Sequence, residues 1–164
     1  MSFPTSYIKT EGSQVTRVAD VAQITGDNFS EWYRQGEGSL YFDCHLFEPI
    51  PYNYYFARLY KDPSNWLSFR TLAGDYRVTL REGGDYYVLS GGNYQQAPSM
   101  ITYFPGGFGS ANAGNNYGTQ DSYIPNFNTL QLTESSNHLN GHIKKLAFYP
   151  KRLPNAVLQT LTEE

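Results

Sequence analysis

Hydrophobic and polar residues alternate along much of this chain, which is the pattern of strands that bury one face of a sheet. The alternation is clearest between residues 54 and 89, where it is interrupted by short runs of Asp, Pro, Asn and Gly that are typical of tight turns. This region therefore predicts four antiparallel strands that follow one another as a meander. Their sequences are YYFARLY (54–60), WLSFRT (66–71), YRVTLR (76–81) and YYVL (86–89).

The alternation also divides the side chains of the meander between two faces. One face is apolar enough to form a core, and it carries Tyr55, Ala57, Leu59, Leu67, Phe69, Tyr76, Val78 and Leu80. The opposite face mixes aromatic rings with guanidinium groups, and it carries Tyr54, Phe56, Arg58, Tyr60, Trp66, Ser68, Arg70, Arg77, Thr79 and Arg81. A register shift of one residue would exchange the two faces of a strand.

Weaker patterns predict the remaining elements. Further strands are expected at residues 38–47, 100–104, 128–133 and 141–149. The rest of the segment 90–119 is rich in Gly, Asn, Ser and Gln, so it is predicted to be a long loop. Near the end of the chain, Pro154 suits a first helical turn, and Leu158 and Leu161 would dock one short helix.

The stretch from residue 16 to residue 33 predicts a strand followed by a one-turn helix. Asn28 or Ser30 would cap this helix, because both side chains can accept a hydrogen bond from a backbone amide in the first turn. Phe29 and Trp32 would then plug one end of the structure as buried aromatic residues.

The composition favours an all-β protein. The 164 residues include 15 Tyr, 10 Phe, 15 Gly and 9 Pro, as expected for many short strands joined by turns. No repeat or linker divides the sequence, so a single domain over residues 1–164 is expected. No apolar run approaches the roughly 20 residues of a membrane span. A signal-peptide pattern is also missing, so we expect synthesis in a cytoplasm-like compartment without membrane insertion.

Charge and cysteine content narrow the range of partners. The 12 basic and 15 acidic residues give a net charge of −3 and are scattered along the chain. Because no basic stripe could neutralise a phosphate backbone, nucleic acid is not an expected partner. Cys44 is the only cysteine, and its strand-like surroundings favour a small buried hydrophobic residue over a nucleophile.

No pattern of catalytic residues is recognisable. A glycosidase needs two carboxyl groups that face the same sugar bond, whereas acidic residues in turns are normally solvated turn formers. Asp27 and Glu31 flank the predicted turn and short helix, and Glu82 and Asp85 lie in a predicted hairpin turn. Asp43 and Glu48 are five residues apart, and Pro49 follows them. We therefore predict a protein without enzymatic activity and assign no catalytic residue.

The candidate metal ligands do not form a known site. His138 and His142 have the spacing of a helical metal pair, but their context is a strand, and His45 is distant in sequence. A surface or structural role is predicted for all three. One Asn-rich stretch supplies oxygen atoms that could bind calcium, from Asn112, Asn115, Asn116 and Asp121. Their spacing differs from that of a known calcium-binding loop. No metal and no cofactor are therefore expected.

Motifs at both ends of the chain resemble one known family. They are PTSYIKTEG (4–12), VTRVADVAQITGDNFSEWY (15–33), EGSLYFD (37–43) and GHIKKLAFYPKRLPNAVLQTLT (141–162). In this order they resemble the lectin-like domains of bacteriophage tail fibres, tailspikes and other virion proteins. The resemblance implies a concanavalin A-like jelly roll, a sandwich of two antiparallel sheets with a short C-terminal helix. It also implies that the strands near Val15–Ile24 and Ile143–Tyr149 lie close together.

The resemblance and the aromatic-arginine face together predict a function. Sugar rings stack their C–H faces on Trp and Tyr, and Arg donates paired hydrogen bonds to hydroxyl or carboxylate groups. The chain is therefore predicted to be a non-enzymatic virion protein that binds host-surface carbohydrate. The candidate carbohydrate-binding residues are Trp66, Tyr60, Arg58, Arg70, Tyr54 and Arg77.

The same face has a second interpretation. Tyr, Trp, Phe and Arg are also enriched where a face packs on another sheet or on a neighbouring subunit. The alternative function is accordingly a structural module of a capsid, tail or fibre, such as a decoration protein. The expected partners are a host-surface glycan, other virion proteins and, in a homotrimer, two further copies of the chain. The expected location is the virion.

Overall fold

The computed structural model describes residues 22–47, 53–93, 97–132 and 141–163. Within these ranges the chain forms eleven strands and two short helices. The strands are β1 (Gln23–Thr25), β2 (Gly38–Leu46), β3 (Asn53–Asp62), β4 (Asn65–Leu72), β5 (Asp75–Glu82), β6 (Asp85–Asn93), β7 (Ser99–Phe104), β8 (Gly107–Asn112), β9 (Asn115–Asp121), β10 (Thr129–Gln131) and β11 (Gly141–Tyr149). The helices are α1 (Asp27–Ser30) and α2 (Asn155–Leu161).

The strands form two antiparallel sheets that pack face to face. One sheet has six strands in the order β1-β10-β3-β4-β5-β6, and the other has five in the order β11-β2-β7-β8-β9. The apolar core lies between them, where the rings of Phe42 and Phe69 stack across the two sheets with centroids 6.0 Å apart. The predicted all-β sandwich with a short C-terminal helix is confirmed.

The four-strand meander is confirmed as β3 to β6, which are neighbours in sequence and in the sheet. Its tight turns follow from the residues that were used to predict them. Gly83 and Gly84 both have positive φ, at 60° and 106°, which a two-residue hairpin turn of type I′ requires and glycine adopts without strain. The backbone amide of Gly83 also donates to Asn65 Oδ1 at 3.1 Å, so the β5–β6 turn is tied to the β3–β4 turn.

A β-bulge in β3 corrects the predicted division of faces. The pairing of β3 with β4 shifts between Tyr55 and Ala57, so Phe56 is the inserted residue of the bulge. As a result, Tyr54 and Phe56 are buried in the core, and Tyr55 takes the side predicted for Tyr54. The prediction that Tyr54 shares the aromatic-arginine face is therefore wrong, because alternation alone does not reveal an inserted residue.

The predicted proximity of the two terminal segments holds for the part that the structure describes. β1 lies at one edge of the six-stranded sheet and β11 at one edge of the five-stranded sheet. Ile24 and Leu146 line the same apolar cleft of about 310 Å³ between these edges. The rings of Trp32 and Phe148 meet edge to face there, 4.9 Å apart. Residues 15–21 of the first segment lie outside the described residues.

Helix α1 and its aromatic plug agree with the prediction, but the start of the helix differs from it. The helix begins after Gly26, whose carbonyl accepts hydrogen bonds from the backbone amides of Phe29 and Ser30 at 3.0 Å. No side chain caps it, so the predicted cap by Asn28 or Ser30 is wrong. Phe29 is buried and makes an edge-to-face contact with Trp32 at 4.9 Å, as the prediction of a plug requires.

The strand predicted at 100–104 is confirmed as β7. The loop predicted over the rest of 90–119 is wrong, because β8 and β9 follow β7 as two consecutive hairpins. β8 is buried along its whole length, with Phe108 in the core between the sheets. On its other face, Ala111 packs against Leu158 of α2. A Cβ on Gly107 would lie 2.5 Å from the carbonyl oxygen of Gln120, so a side chain there has no room. The small residues of this strand therefore reflect close packing rather than a loop.

Helix α2 covers the outer face of the five-stranded sheet. Leu158 is fully buried in a second apolar cluster, which confirms its predicted docking role. Leu161 is 36% exposed, so the same prediction is wrong for that residue. Among the described residues, no helix is long and apolar enough to span a lipid bilayer.

Candidate functional site

The candidate residues lie on the outer face of the six-stranded sheet, where the register of the strands arranges them in three rows. The first row is Thr25, Thr129, Tyr60, Trp66, Arg81 and Tyr86. The second row is Gln23, Gln131, Arg58, Ser68, Thr79 and Val88. The third row is Tyr55, Arg70, Arg77 and Ser90. The sheet thus brings together Trp66, Tyr60, Arg58, Arg70 and Arg77, whereas Tyr54 lies in the core.

Arg58 is the centre of the aromatic part of this face. Its guanidinium carbon lies 4.7 Å from the ring centroid of Tyr60 and 5.7 Å from that of Trp66. Nε and Nη2 both donate to Gln131 Oε1, at 2.9 Å and 2.7 Å. The guanidinium is therefore held among the rings, where cation–π contacts contribute about 0.5–2 kcal/mol.

Trp66 is on the outer face but is not an exposed platform. Only 4% of it is exposed, although it belongs to neither apolar cluster. Its ring is covered by Tyr55 at 5.7 Å and Tyr86 at 6.0 Å, both nearly perpendicular to it, and by Arg58. Trp66 thus matches neither an open sugar platform nor packing against the second sheet. It is the floor of a pocket that its own neighbours build.

This pocket, which we call the outer-face pocket, has a volume of about 250 Å³. Its lining residues are Tyr55, Arg58, Tyr60, Pro63, Trp66, Arg81 and Tyr86. Arg81 donates from Nη1 to the carbonyl of Pro63 at 2.7 Å, and its guanidinium carbon lies 5.0 Å from the ring centroid of Tyr86. Tyr86 is 56% exposed, so its ring is the accessible aromatic surface at the mouth.

Sequence reasoning placed Arg81 on this face but did not select it for the site, and it missed Tyr86. The signal for Tyr86 was present, because a two-residue turn at Gly83–Gly84 pairs Arg81 with Tyr86 across the hairpin. Residues paired across antiparallel strands point to the same side of the sheet, so the face continues into β6.

Arg70 and Arg77 lie beside the outer-face pocket rather than in it. Arg70 donates from Nη1 to the hydroxyl of Tyr55 at 3.2 Å, and its guanidinium carbon lies 5.7 Å from that ring. Arg77 Nη2 lies 3.8 Å from Asp75 Oδ2. The Tyr55 ring therefore joins the pocket to Arg70, and Arg77 lies opposite Arg70 on the next strand.

A larger open pocket, of about 640 Å³, lies at one end of the sandwich around α1 and residues 126–129. Its polar groups are engaged with one another. The Tyr33 hydroxyl donates to Gln35 Oε1 at 2.9 Å, and Gln35 Nε2 donates to the carbonyls of Ile124 and Pro125 at 3.2 Å and 3.0 Å. Burial raises the pKa of the Tyr33 phenol, which therefore stays neutral. This arrangement joins α1 to the segment before β10.

The other residues considered for chemistry lie elsewhere. His45 and His142 are opposite each other on β2 and β11, and both are exposed. His138 lies outside the described residues. Cys44 is buried in the core and forms no disulfide. Among the described residues, no three or more His, Cys, Asp or Glu side chains converge as metal ligands would.

The Asn-rich stretch considered for calcium is part of the β8–β9 hairpin. Asn112 is buried, and its Nδ2 donates to the carbonyls of Ala97 and Pro98 at 3.2 Å. Asn116 Oδ1 accepts from the backbone amide of Gly118 at 2.7 Å. These side chains therefore stabilise turns and the loop before β7.

Comparison with known proteins gives a structural likeness without a sequence match. No family model matches the sequence, and no curated protein matches it. The receptor-binding domain of botulinum neurotoxin D is similar in structure, with a TM-score of 0.64 and 12% identity over 88% of this chain and 41% of that one. The receptor-binding domain of the botulinum neurotoxin C/D mosaic serotype has a TM-score of 0.61 and 13% identity, over 77% of this chain and 36% of that one. Domains LG4-5 of the mouse laminin alpha1 chain have a TM-score of 0.57 and 7% identity, over 84% of this chain and 41% of that one.

These likenesses support a jelly-roll β-sandwich as the fold. The chain spans less than half the length of each of these chains. At such low identity, no residue of the outer-face pocket is inferred from them.

Proposed function

We propose that this protein binds carbohydrate in the outer-face pocket. The observation that carries the proposal is an exposed ring, Tyr86, at the mouth of an open pocket whose walls hold Arg58 and Arg81. An aromatic ring offers the apolar face of a sugar a stacking surface, and guanidinium groups donate to its hydroxyls. The combination suits a ligand that is apolar on its faces and polar at its edges.

The pocket also favours this ligand because most of it is preorganised. Arg58 is fixed by Gln131, and Arg81 by the carbonyl of Pro63. Tyr60 is fixed in turn by its contact with Arg58. Groups that are already held in place lose little conformational freedom on binding, so even a small pocket can gain affinity.

Relatives in fold lend the proposal further support. One similar structure is a botulinum neurotoxin binding domain in complex with rat synaptotagmin II, and another concerns a type C toxin that depends on two ganglioside molecules to enter cells. These two proteins thus bind a protein partner and gangliosides, respectively. Since fold alone does not fix function, the proposal for this chain rests on its own pocket.

A virion setting and a host-surface glycan are part of the same proposal. They are supported by the resemblance of both chain ends to lectin-like virion domains. We further propose that binding occurs without catalysis. Glu82 and Asp85, the acidic pair nearest to the pocket, are partners beside the β5–β6 turn and do not line it. Release of reducing ends from a polysaccharide by the purified protein would contradict this part.

The test compares two exposed tyrosines. Tyr86→Ala removes the ring at the mouth of the pocket, and Tyr123→Ala removes a ring that is 68% exposed and lies outside the pocket lining. Both variants should melt like the wild type, because neither ring is buried. On a glycan array and in whole-cell binding, Tyr86→Ala should lose at least about tenfold in affinity, the equivalent of 1.4 kcal/mol. Tyr123→Ala should bind like the wild type.

The outcomes separate binding from assembly. Tyr86 and Val88 are both exposed on the same face of β6, which is the observation that favours subunit contact, including a homotrimer, as a second candidate function. If the wild type binds no glycan and Tyr86→Ala dissociates an oligomer, the assembly function replaces the lectin function. Equal glycan binding by both variants and the wild type would place the glycan site elsewhere.

A further inference from the structure

We infer that the carbohydrate bound in the outer-face pocket carries a carboxylate, which the neighbouring pair Arg70 and Arg77 recognises. This inference rests on the proposed carbohydrate-binding function and specifies its ligand class. The pair forms an anion subsite beside the aromatic pocket, and Tyr55 is the residue common to both.

The two arginines are in an unfavourable arrangement when nothing is bound. Arg70 and Arg77 are directly opposite on the antiparallel strands β4 and β5. Opposite residues have Cα atoms only about 4.5–5.5 Å apart. Like charges in such cross-strand positions destabilise a sheet, so an anion that neutralises both guanidinium groups would be bound favourably.

The hydrogen-bonding capacity of the pair is also incompletely used. Nε of Arg70 and Nε of Arg77 are both shielded from solvent and have no hydrogen-bond partner. Arg70 is only 9% exposed, so its unpaired donor is costly. Among the described residues, Asp75 is the acidic side chain that forms an ion pair with Arg77, at 3.8 Å, and it is itself partly exposed. The ion pair of Arg77 and the hydrogen bond of Arg70 to the Tyr55 hydroxyl leave the Nε donor of each guanidinium group unused.

Two further polar groups border the subsite. Ser68 and Thr79 are partners in the row between the arginine pair and the Trp66 row. Both are fully buried, and neither hydroxyl has a hydrogen-bond partner. Unpaired buried polar groups are uncommon in folded proteins and call for an explanation such as an absent bound partner. Their position places four unsatisfied groups on one small area of the sheet.

A carboxylate on a sugar is the ligand class that fits this arrangement. A carboxylate accepts paired hydrogen bonds from guanidinium groups, and these charge-assisted bonds are roughly twice as strong as neutral ones. Arg70 stacks over Tyr55, which lines the pocket, so the anion subsite and the sugar subsite are adjacent. A hexuronic acid or another carboxylated sugar would occupy both at once.

The test uses a glycan array that contains carboxylated, sulfated and neutral glycans. The best carboxylated glycan is then compared with the same glycan after chemical reduction of its carboxyl groups to alcohols. The proteins are the wild type, Arg77→Gln and the control Lys151→Gln. Lys151 is exposed and follows β11, so the control makes the same charge change away from the subsite.

We expect hits confined to carboxylated glycans, with at least a tenfold loss of affinity on reduction. Arg77→Gln should cause a similar loss for the carboxylated glycan and none for its reduced form, while Lys151→Gln should leave both unchanged. Neutral or sulfated hits that depend on Tyr86, or less than a twofold effect of reduction, would overturn the inference and leave the proposed function intact. Absence of binding to every glycan would overturn both. The reduction experiment uses only wild-type protein, so it decides even if Arg77→Gln fails to fold.

Discussion

Arg58 donates two hydrogen bonds to the side-chain oxygen of Gln131, from Nε at 2.9 Å and from Nη2 at 2.7 Å. Gln131 is the last residue of the three-residue strand β10, which pairs with β3 on one side and β1 on the other. The orientation of the central guanidinium in the outer-face pocket thus depends on a strand outside the meander.

Gln131→Ala should therefore weaken glycan binding through Arg58. The variant removes the acceptor that holds the guanidinium over Tyr60, so we expect about a three- to tenfold loss of affinity with a modest change in thermal stability. Isothermal titration with an array hit measures the effect. Gln120→Ala, at a partly exposed glutamine on β9 of the other sheet, is the matched control and should bind normally. Unchanged affinity in Gln131→Ala would show that Arg58 needs no positioning.

Trp66→Ala should destabilise the protein strongly although Trp66 is on an outer face. Its ring is 4% exposed and is packed among Tyr55, Arg58 and Tyr86, so we expect a loss of about 3–5 kcal/mol in the free energy of unfolding. Denaturant unfolding gives this value directly. Tyr86→Ala in the same experiment should cost no more than about 0.5 kcal/mol. Equal stability of the two variants would mean that Trp66 is accessible and is itself a stacking surface.

Gly107→Ala should destabilise the β8–β9 pairing. The new methyl group would lie 2.5 Å from the carbonyl oxygen of Gln120, and a backbone atom cannot move away without disturbing the ladder. Overpacking of this kind costs about 1–3 kcal/mol. Gly36→Ala is the control, because a methyl group there meets nothing within 4 Å. A melting temperature unchanged from the wild type in Gly107→Ala would contradict the described packing of β8.

Asp62 should titrate below its ordinary pKa. Hydrogen bonds from the side chain of Asn65 and from the backbone amide of Ser64 stabilise its carboxylate and lower its pKa from the ordinary 3.8. The carboxylate's contribution to stability is therefore fully present above pH 3.8 and is lost as the pH falls through the lowered pKa. Asp62 and Asn65 shape the turn that carries Pro63, so the pocket rim should loosen only in that acid range.

An NMR titration of the Asn65 side-chain amide measures the Asp62 midpoint. We expect a value below 3.8 in the wild type. In Asn65→Ala the midpoint, followed on the Ser64 amide, should move back toward the ordinary value because the largest stabilising contact is gone. A wild-type midpoint at or above 3.8 would show that these hydrogen bonds do not form in solution.

The meander was predictable because its turns carry their own chemistry. Asp62 accepts from the backbone amide of Ser64, and the paired glycines at 83 and 84 fix a tight hairpin, so strand limits follow from local sequence. The grouping of Trp66, Tyr60, Arg58, Arg70 and Arg77 on one face follows from the same regular register.

What sequence reasoning missed depends on contacts between distant segments. Tyr54, Tyr55 and Phe56 are three consecutive aromatic residues, so aromatic rings fall on both faces of β3 whichever register is assumed. The pattern of residues therefore does not reveal the bulge at Phe56. β8 has little alternation because the core and α2 bury both of its faces. Whether Trp66 is covered depends on rings from β3 and β6, which no local pattern specifies.

Because α2 covers the five-stranded sheet, that side of the molecule is the better one for attachment to a solid support. Within the described ranges, Lys144, Lys145 and Lys151 lie on or just after β11 in that sheet, and Lys61 lies on β3. Amine coupling of a Lys61→Arg variant would therefore anchor the described part of the molecule by the sheet that α2 already covers. The outer-face pocket would then point away from the support, toward dissolved glycans or cells.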